Sequence, residues 1–312
     1  MAVARETRRL PVRRAAEKPS ERTGDEAQSA RPRMGATGQV VVWALLVILV
    51  LAFVYPFIWL MSASLKPQGE TFTASFLPQP AVWQHYVEIW SAAPALRWFF
   101  NSALVGILAS VSVVFSSALV AFGFVYHRFP GRNVLFGVVI ATLMLPQAVV
   151  MVPKFLIWHS FQIGGTNLAT TQVPLWAGNL FASPIYIFLL RQFFLGMPRD
   201  LFEAAKVDGA NPLRIWWSIV LPLSKPALVA VGIFEFKASW TDLMAPLIYL
   251  QNRNLFTLPL GLKAFVDEFG KGGIQRWDLV MTASVLFTIP MLIVFFLAQK
   301  HFVRGIATTG MK

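Results

Sequence analysis

Three oxygen-bearing side chains, Glu235, Ser239 and Asp242, recur at i, i+4 and i+7 in an otherwise apolar run from Pro226 to Leu250. That spacing sets them on one face of a helix, with Lys237 between them on the chain. A charge near the centre of a membrane helix costs roughly 2.5–3.5 kcal/mol, so the three charges Glu235, Lys237 and Asp242 demand partners or a polar channel. Two readings fit. The face could exchange hydrogen bonds with a hydroxylated solute, or it could pack against a second chain or form an internal ion pair with Lys237. Catalysis is not indicated: no serine–histidine–acid set or carboxylate pair sits in a plausible cleft. The phosphate-binding pattern G-x-x-x-x-G-K-[ST] is absent, so this chain is not itself an ATPase. With no cysteine and four scattered histidines, neither a disulfide nor a metal site is expected, and no cofactor is implied.

A second constellation is polar for a different reason. Glu203-Ala204-Ala205-Lys206-Val207-Asp208-Gly209-Ala210, followed by Ile219, Leu221 and Pro222, is an amphipathic island between two long apolar segments. Asp200 is placed as a helix N-cap, with Glu203 three residues on completing a capping box. Leu201, Ala204 and Ala205 then share a face, where small side chains let another surface approach the backbone. Asp208-Gly209 supplies a turn, because glycine enters left-handed geometry without a side-chain clash. Asn211 and Pro212 are the cap and first position of a second helix. Its continuation, Leu213 to Trp217, is apolar enough to lie on a membrane surface. On local physics alone, Glu203 serves either as a contact for another protein or only as a cap of its own helix.

The elements that hold these groups follow from composition. Of 312 residues, 56% are apolar and 13% charged, and mean hydropathy is +0.59. Soluble domains carry about 25% charged residues, so lipid is the main solvent. Six apolar stretches of spanning length are predicted, about 40–62, 101–126, 134–158, 173–194, 226–250 and 279–299, the third broken by Pro146 and Pro153. The fold class is therefore an all-α polytopic membrane protein. Residues 1–38, rich in Arg, Pro, Ala and Glu without apolar periodicity, read as a disordered basic tail, and 39–312 as the membrane domain. The net charge of +12 does not indicate nucleic acid, because the cations gather in the tail and at the ends of apolar runs. With the N-terminus inside, the inner segments carry nineteen Lys/Arg and the outer ones six. Both termini and the island at 198–222 are thus expected in the cytoplasm.

The island resembles the E-A-A-x-x-D-G-A-x(8)-I-x-L-P loop of the membrane subunits of binding-protein-dependent ABC importers, with Ile219 at the isoleucine place. The chain is similar to their carbohydrate permeases of the MalG type from about Val40 to Lys312. Phe100-Asn101-Ser102, Arg128 to Arg132, Leu189 to Phe194 and Phe302 to Gly310 match in order. Trp240 to Leu247 departs from the usual W-N-D-F-L-W-P-L at Thr241 and Ala245. The resemblance implies a type I importer permease fold in a bacterial cell membrane. It implies that Glu203, Ala204, Ala205 and Gly209 form a coupling helix docked on a cytoplasmic ATPase. Its implied partners are a second homologous permease, two ATPase copies and an extracytoplasmic substrate-binding protein. The cargo it implies is a sugar, with glycerol 3-phosphate as the alternative because related permeases carry it. A proton-coupled secondary transporter using Glu235 and Asp242 is a further alternative, but it leaves the island without purpose.

Overall fold

The computed structural model describes residues 36–270 and 275–307; most of the expected basic tail and the end of the Phe302–Gly310 stretch lie outside them. The order of helices is α1 (Ala36–Ser64), α2 (His85–Ala92), α3 (Ala95–Tyr126), α4 (Arg132–Ala141) and α5 (Gln147–His159). A short antiparallel hairpin of β1 (Gln162–Ile163) and β2 (Thr166–Asn167) is a small exception to the all-α expectation. Then come α6 (Val173–Ala177), α7 (Pro184–Leu195), α8 (Arg199–Val207), α9 (Pro212–Ile215) and α10 (Leu221–Leu223). They are followed by α11 (Lys225–Thr241), α12 (Met244–Tyr249), α13 (Leu258–Phe265) and α14 (Trp277–Ala307).

The chain divides into two units, Met1–Pro56 and Phe57–Lys312. In the first, residues 40–56 are exposed throughout, as an apolar helix surrounded by lipid should be. The second unit is organised by α3. Its small residues Ala109, Ala118 and Ala121 are fully buried and let α7 and α11 pack closely along it. One core cluster joins Val113 and Ala118 of α3 to Leu190 and Phe194 of α7, and to Ile215 and Val220 of the island. Another gathers Trp98, Trp240, Phe265 and Leu279.

Among the described residues, three helices are long and apolar enough to cross a bilayer: Thr37–Ser64, Ala95–Tyr126 and Trp277–Phe296. The expected third and fourth spans are each a bent pair, Arg132–Met144 with Gln147–His159 at 102° and Val173–Phe181 with Pro184–Leu195 at 40°. The first bend has a plain cause. Pro146 restricts Leu145 to extended backbone, and a new helix starts at Gln147. The expected continuous fifth span, 226–250, is also corrected, because α11 stops at Thr241 and α12 begins at Met244. Pro246 accounts for this: in an unbroken helix its ring would meet the carbonyl of Asp242.

Among the described glycines, Gly261 is approached most closely by a neighbouring side chain. A β-carbon there would lie 2.1 Å from Cε3 of Trp98, which is fully buried and donates its indole N–H to the Arg253 carbonyl at 2.9 Å. Gly261→Ala is therefore expected to destabilise the protein by at least about 1–3 kcal/mol through overpacking. The midpoint of thermal unfolding in detergent would fall. An unchanged midpoint would show that the Trp98 ring moves freely.

Candidate functional site

The island folds as short helices joined by a tight turn at Gly209. The α8 helix starts directly after Pro198 with no side-chain cap, so the expected Asp200–Glu203 capping box does not form. Arg199 and Asp200 are already helical; Asp200 instead places negative charge in the first turn, where the helix dipole favours it. The other end follows expectation. Gly209 has φ 77° and donates its N–H to the Lys206 carbonyl at 3.0 Å, while Ala210 N–H reaches the Ala205 carbonyl at 2.9 Å. Those two bonds are the Schellman closure of a helix by a left-handed residue. Asn211 Oδ1 then accepts from the Arg214 N–H at 2.8 Å and opens α9. Trp216–Val220 continues as a π-helical turn into α10.

Burial sorts the island residues into an anchor and an outward face. Ala205 is buried, with Phe202, Ile219 and Leu221 packed on the same core. Phe202 meets the Tyr126 ring edge-on at 6.3 Å, and the Lys206 ammonium sits 4.7 Å above that ring. The bulky Phe202 thus takes the inward place, and the helix is rotated from the expected Leu201–Ala204–Ala205 face. Leu201, Glu203, Ala204, Val207, Asp208, Gly209 and Pro222 are exposed. The stretch expected on the membrane surface is divided: Ile215 and Trp216 are buried, whereas Leu213 and Trp217 are exposed.

The three polar residues of the fifth apolar segment do not form one continuous face. Glu235 and Ser239 are on α11, both half-buried. Glu235 Oε1 accepts from Asn179 Nδ2 at 2.5 Å, and the Tyr186 hydroxyl interacts with the same carboxylate. Asp242 lies past the helix end, where its Oδ1 accepts from the N–H groups of Met244 at 2.9 Å and Ala245 at 3.3 Å. That carboxylate caps α12. The hydroxyl of Ser239 bonds none of the described residues, and Lys237 is exposed. Among the described residues no group of three His, Asp or Glu side chains could hold a metal ion.

Residues 114–308 match the model of the family described as binding-protein-dependent transport system inner membrane component, which is more than half of the chain. The chain belongs to that family. This permease is 30% identical over 267 residues to an arabinooligosaccharides transport system permease protein of Bacillus subtilis, covering 84% of this chain and 92% of the relative. It is 34% identical over 270 residues to an sn-glycerol-3-phosphate transport system permease protein of Yersinia enterocolitica, covering 84% and 93%. The crystal structure of a bacterial ABC transporter that imports alginate superposes with TM-score 0.72 over 85% of this chain and 96% of that one, at 23% identity. A second alginate transporter structure, in complex with a periplasmic protein bound to an alginate pentasaccharide, gives TM-score 0.60 at 15% identity over 83% and 92%. Both support the type I permease fold.

One cluster of this permease escaped the sequence reading altogether. Arg276 reaches Glu88 with both guanidinium nitrogens, at 2.7 and 2.9 Å, and Asp278 at 2.8 Å. His85 Nε2 lies 3.2 Å from the same Asp278 oxygen, and the His85 ring also meets the Ser64 carbonyl at 3.1 Å. Thr282 donates to that carbonyl as well. The end of α1, the α2 helix and the start of α14 are thus tied by one polar network around a fully buried Asp278. The hydrogen bonds and charge of Arg276 hold the Glu88 carboxyl below its usual range, and the Arg276 guanidinium is held above its own. Glu88 and Arg276 are 188 residues apart, so no local spacing announces their pairing.

Proposed function

We infer that this permease forms half of a transmembrane path through which a bacterial ABC importer passes a sugar into the cytoplasm. An extracytoplasmic binding protein delivers the cargo, a second homologous permease supplies the other half, and two separate ATPase chains supply the energy. The observation that carries the reading is the projection from Arg199 to Leu223, rigid at its turn, anchored through Ala205 and outward-facing at Glu203, Ala204, Asp208 and Gly209. The apolar strip Leu201, Ala204 and Val207, with Val207 88% exposed, offers the ATPase a face at i, i+3, i+6 spacing. Glu203 beside it meets a cation. Ile219, Leu221 and Pro222 join the anchor to α11.

The distribution of Lys and Arg supports an inner-membrane topology with both termini in the cytoplasm, a basic tail over 1–38 and a membrane domain over 39–312. Six crossings are reached if each bent pair counts as one span. The α11 face around Glu235 and Ser239 borders the path, with Asp242 just past its end, and Ser239 is the group free to bond a passing hydroxyl. The two relatives named above divide between arabinooligosaccharides and glycerol 3-phosphate. A phosphate cargo asks for fixed cations; Lys237 is the one cation within the apolar segment 226–250, which favours a neutral sugar.

Proteoliposomes holding the full complex and its binding protein test the reading. Uptake of radiolabelled arabinotriose that requires ATP supports it; uptake of sn-glycerol 3-phosphate instead selects the second cargo. ATP-independent pumping of either solute overturns it. Ser239→Leu is expected to lower uptake at least tenfold while the assembled complex is recovered in normal yield, and normal uptake removes Ser239 from the path.

A further inference from the structure

The coupling projection leaves two helices by its two ends, α7 before it and α11 after it. Tyr186 lies nine residues before Leu195, and Glu235 ten residues after Lys225. At 1.5 Å per residue both stand about 14–15 Å along their helices from the projection. Glu235 accepts from Asn179 at 2.5 Å, and the Tyr186 hydroxyl interacts with the same carboxylate. Asn179 belongs to the 3-10 turn Gly178–Phe181, at the bend between α6 and α7. The same turn is fixed to α3, because the Ser116 hydroxyl donates to the Asn179 carbonyl at 2.8 Å and the Ser183 N–H donates to Ser117 Oγ at 3.1 Å.

The geometry points to Glu235 as a positioning residue: with Asn179 and Tyr186 it forms a clasp that makes α7 and α11 move as one body when the projection is pushed. A carboxylate at membrane depth is costly, and two donors from the opposite helix segment offset that cost. The bond ties α11 to the turn that opens α7, and so spans the two elements that the projection drives. Without it, motion delivered at the projection parts the two helices instead of turning them together, and ATP hydrolysis no longer senses the binding protein. This role rests on the importer reading, in which a separate motor acts on the projection.

The test is ATP hydrolysis by the reconstituted complex, measured with and without the binding protein. The wild-type complex must show stimulation by the binding protein; its absence there overturns the importer reading rather than the clasp. Glu235→Gln keeps a carbonyl to accept from Asn179 and is expected to retain stimulation within about twofold. Glu235→Leu and Asn179→Asp, which removes the donor and sets two carboxylates together, are expected to bring the stimulation ratio close to one. The double variant Asn179→Asp with Glu235→Gln reverses donor and acceptor and should restore most of it. If Glu235→Gln is as damaging as Glu235→Leu, the carboxylate acts on the cargo or on a proton and the clasp is refuted. Failure of the reversed pair to recover refutes it also, and this comparison stands even if the leucine variant fails to assemble.

Discussion

Arg276→Ala is expected to destabilise the permease by about 3–5 kcal/mol, because it strands a buried carboxylate. Asp278 is fully buried, and Arg276 reaches it at 2.8 Å while also forking onto Glu88. His85 remains beside Asp278 after the substitution, which places the loss toward the lower end of that range. Arg276→Lys should recover only part of it, since an ammonium cannot reproduce the planar fork on Glu88. Thermal unfolding of the detergent-purified protein measures both, and a wild-type midpoint for Arg276→Ala would show the network to be dispensable. The network also has a pH signature. The Glu88 carboxyl titrates lower when folded, so its contribution is complete above the ordinary glutamate pKa of about 4.3 and is lost as pH falls through the lower folded value. Stability should therefore decline in acid below about pH 4.3, and Glu88→Gln should flatten that decline. Glu88 is partly exposed, so solvent weakens the effect.

Gly209→Val is expected to abolish coupled uptake while leaving the membrane core folded. The left-handed turn at φ 77° suits glycine, and a β-branched residue held there costs on the order of 1–3 kcal/mol. Space is not the issue, since a β-carbon at Gly209 would meet nothing within 4 Å. The strain is instead relieved by opening the two closing bonds, Gly209 to Lys206 and Ala210 to Ala205. That frees the end of α8 from α9 and softens the lever. ATP hydrolysis should continue without uptake in proteoliposomes. Gly209→Asn, a residue that tolerates left-handed backbone, should retain much of the coupling. Full uptake by Gly209→Val would remove the rigid projection from the mechanism.

The contrast between these two substitutions shows where sequence reading reaches. The turn at Gly209, the Asn211 cap and the helix start at Pro212 were all legible, because each depends on residues within a few positions of one another. Membrane class followed from 56% apolar content and long apolar runs, since the free energy of burial in lipid sums over a segment whatever its neighbours. The island's motif likewise pointed to the family before any coordinates.

What the sequence left open is which side of each helix faces the protein. Whether Phe202 or Leu201 turns inward depends on Tyr126 at the end of α3, more than seventy residues earlier. The break at Asp242 needed the competition between Pro246 and helix continuation to be settled, and it makes Asp242 a cap of α12 instead of a member of the α11 face. Glu235 could be placed on a polar face by spacing alone, yet its partners Asn179 and Tyr186 come from a bend packed against α3. The Arg276 network draws on three helices whose residues carry no shared motif. Local chemistry is written in neighbouring residues and survives any packing, whereas charge pairing and helix rotation are decided by contacts between distant segments, which exist only once the chain has folded.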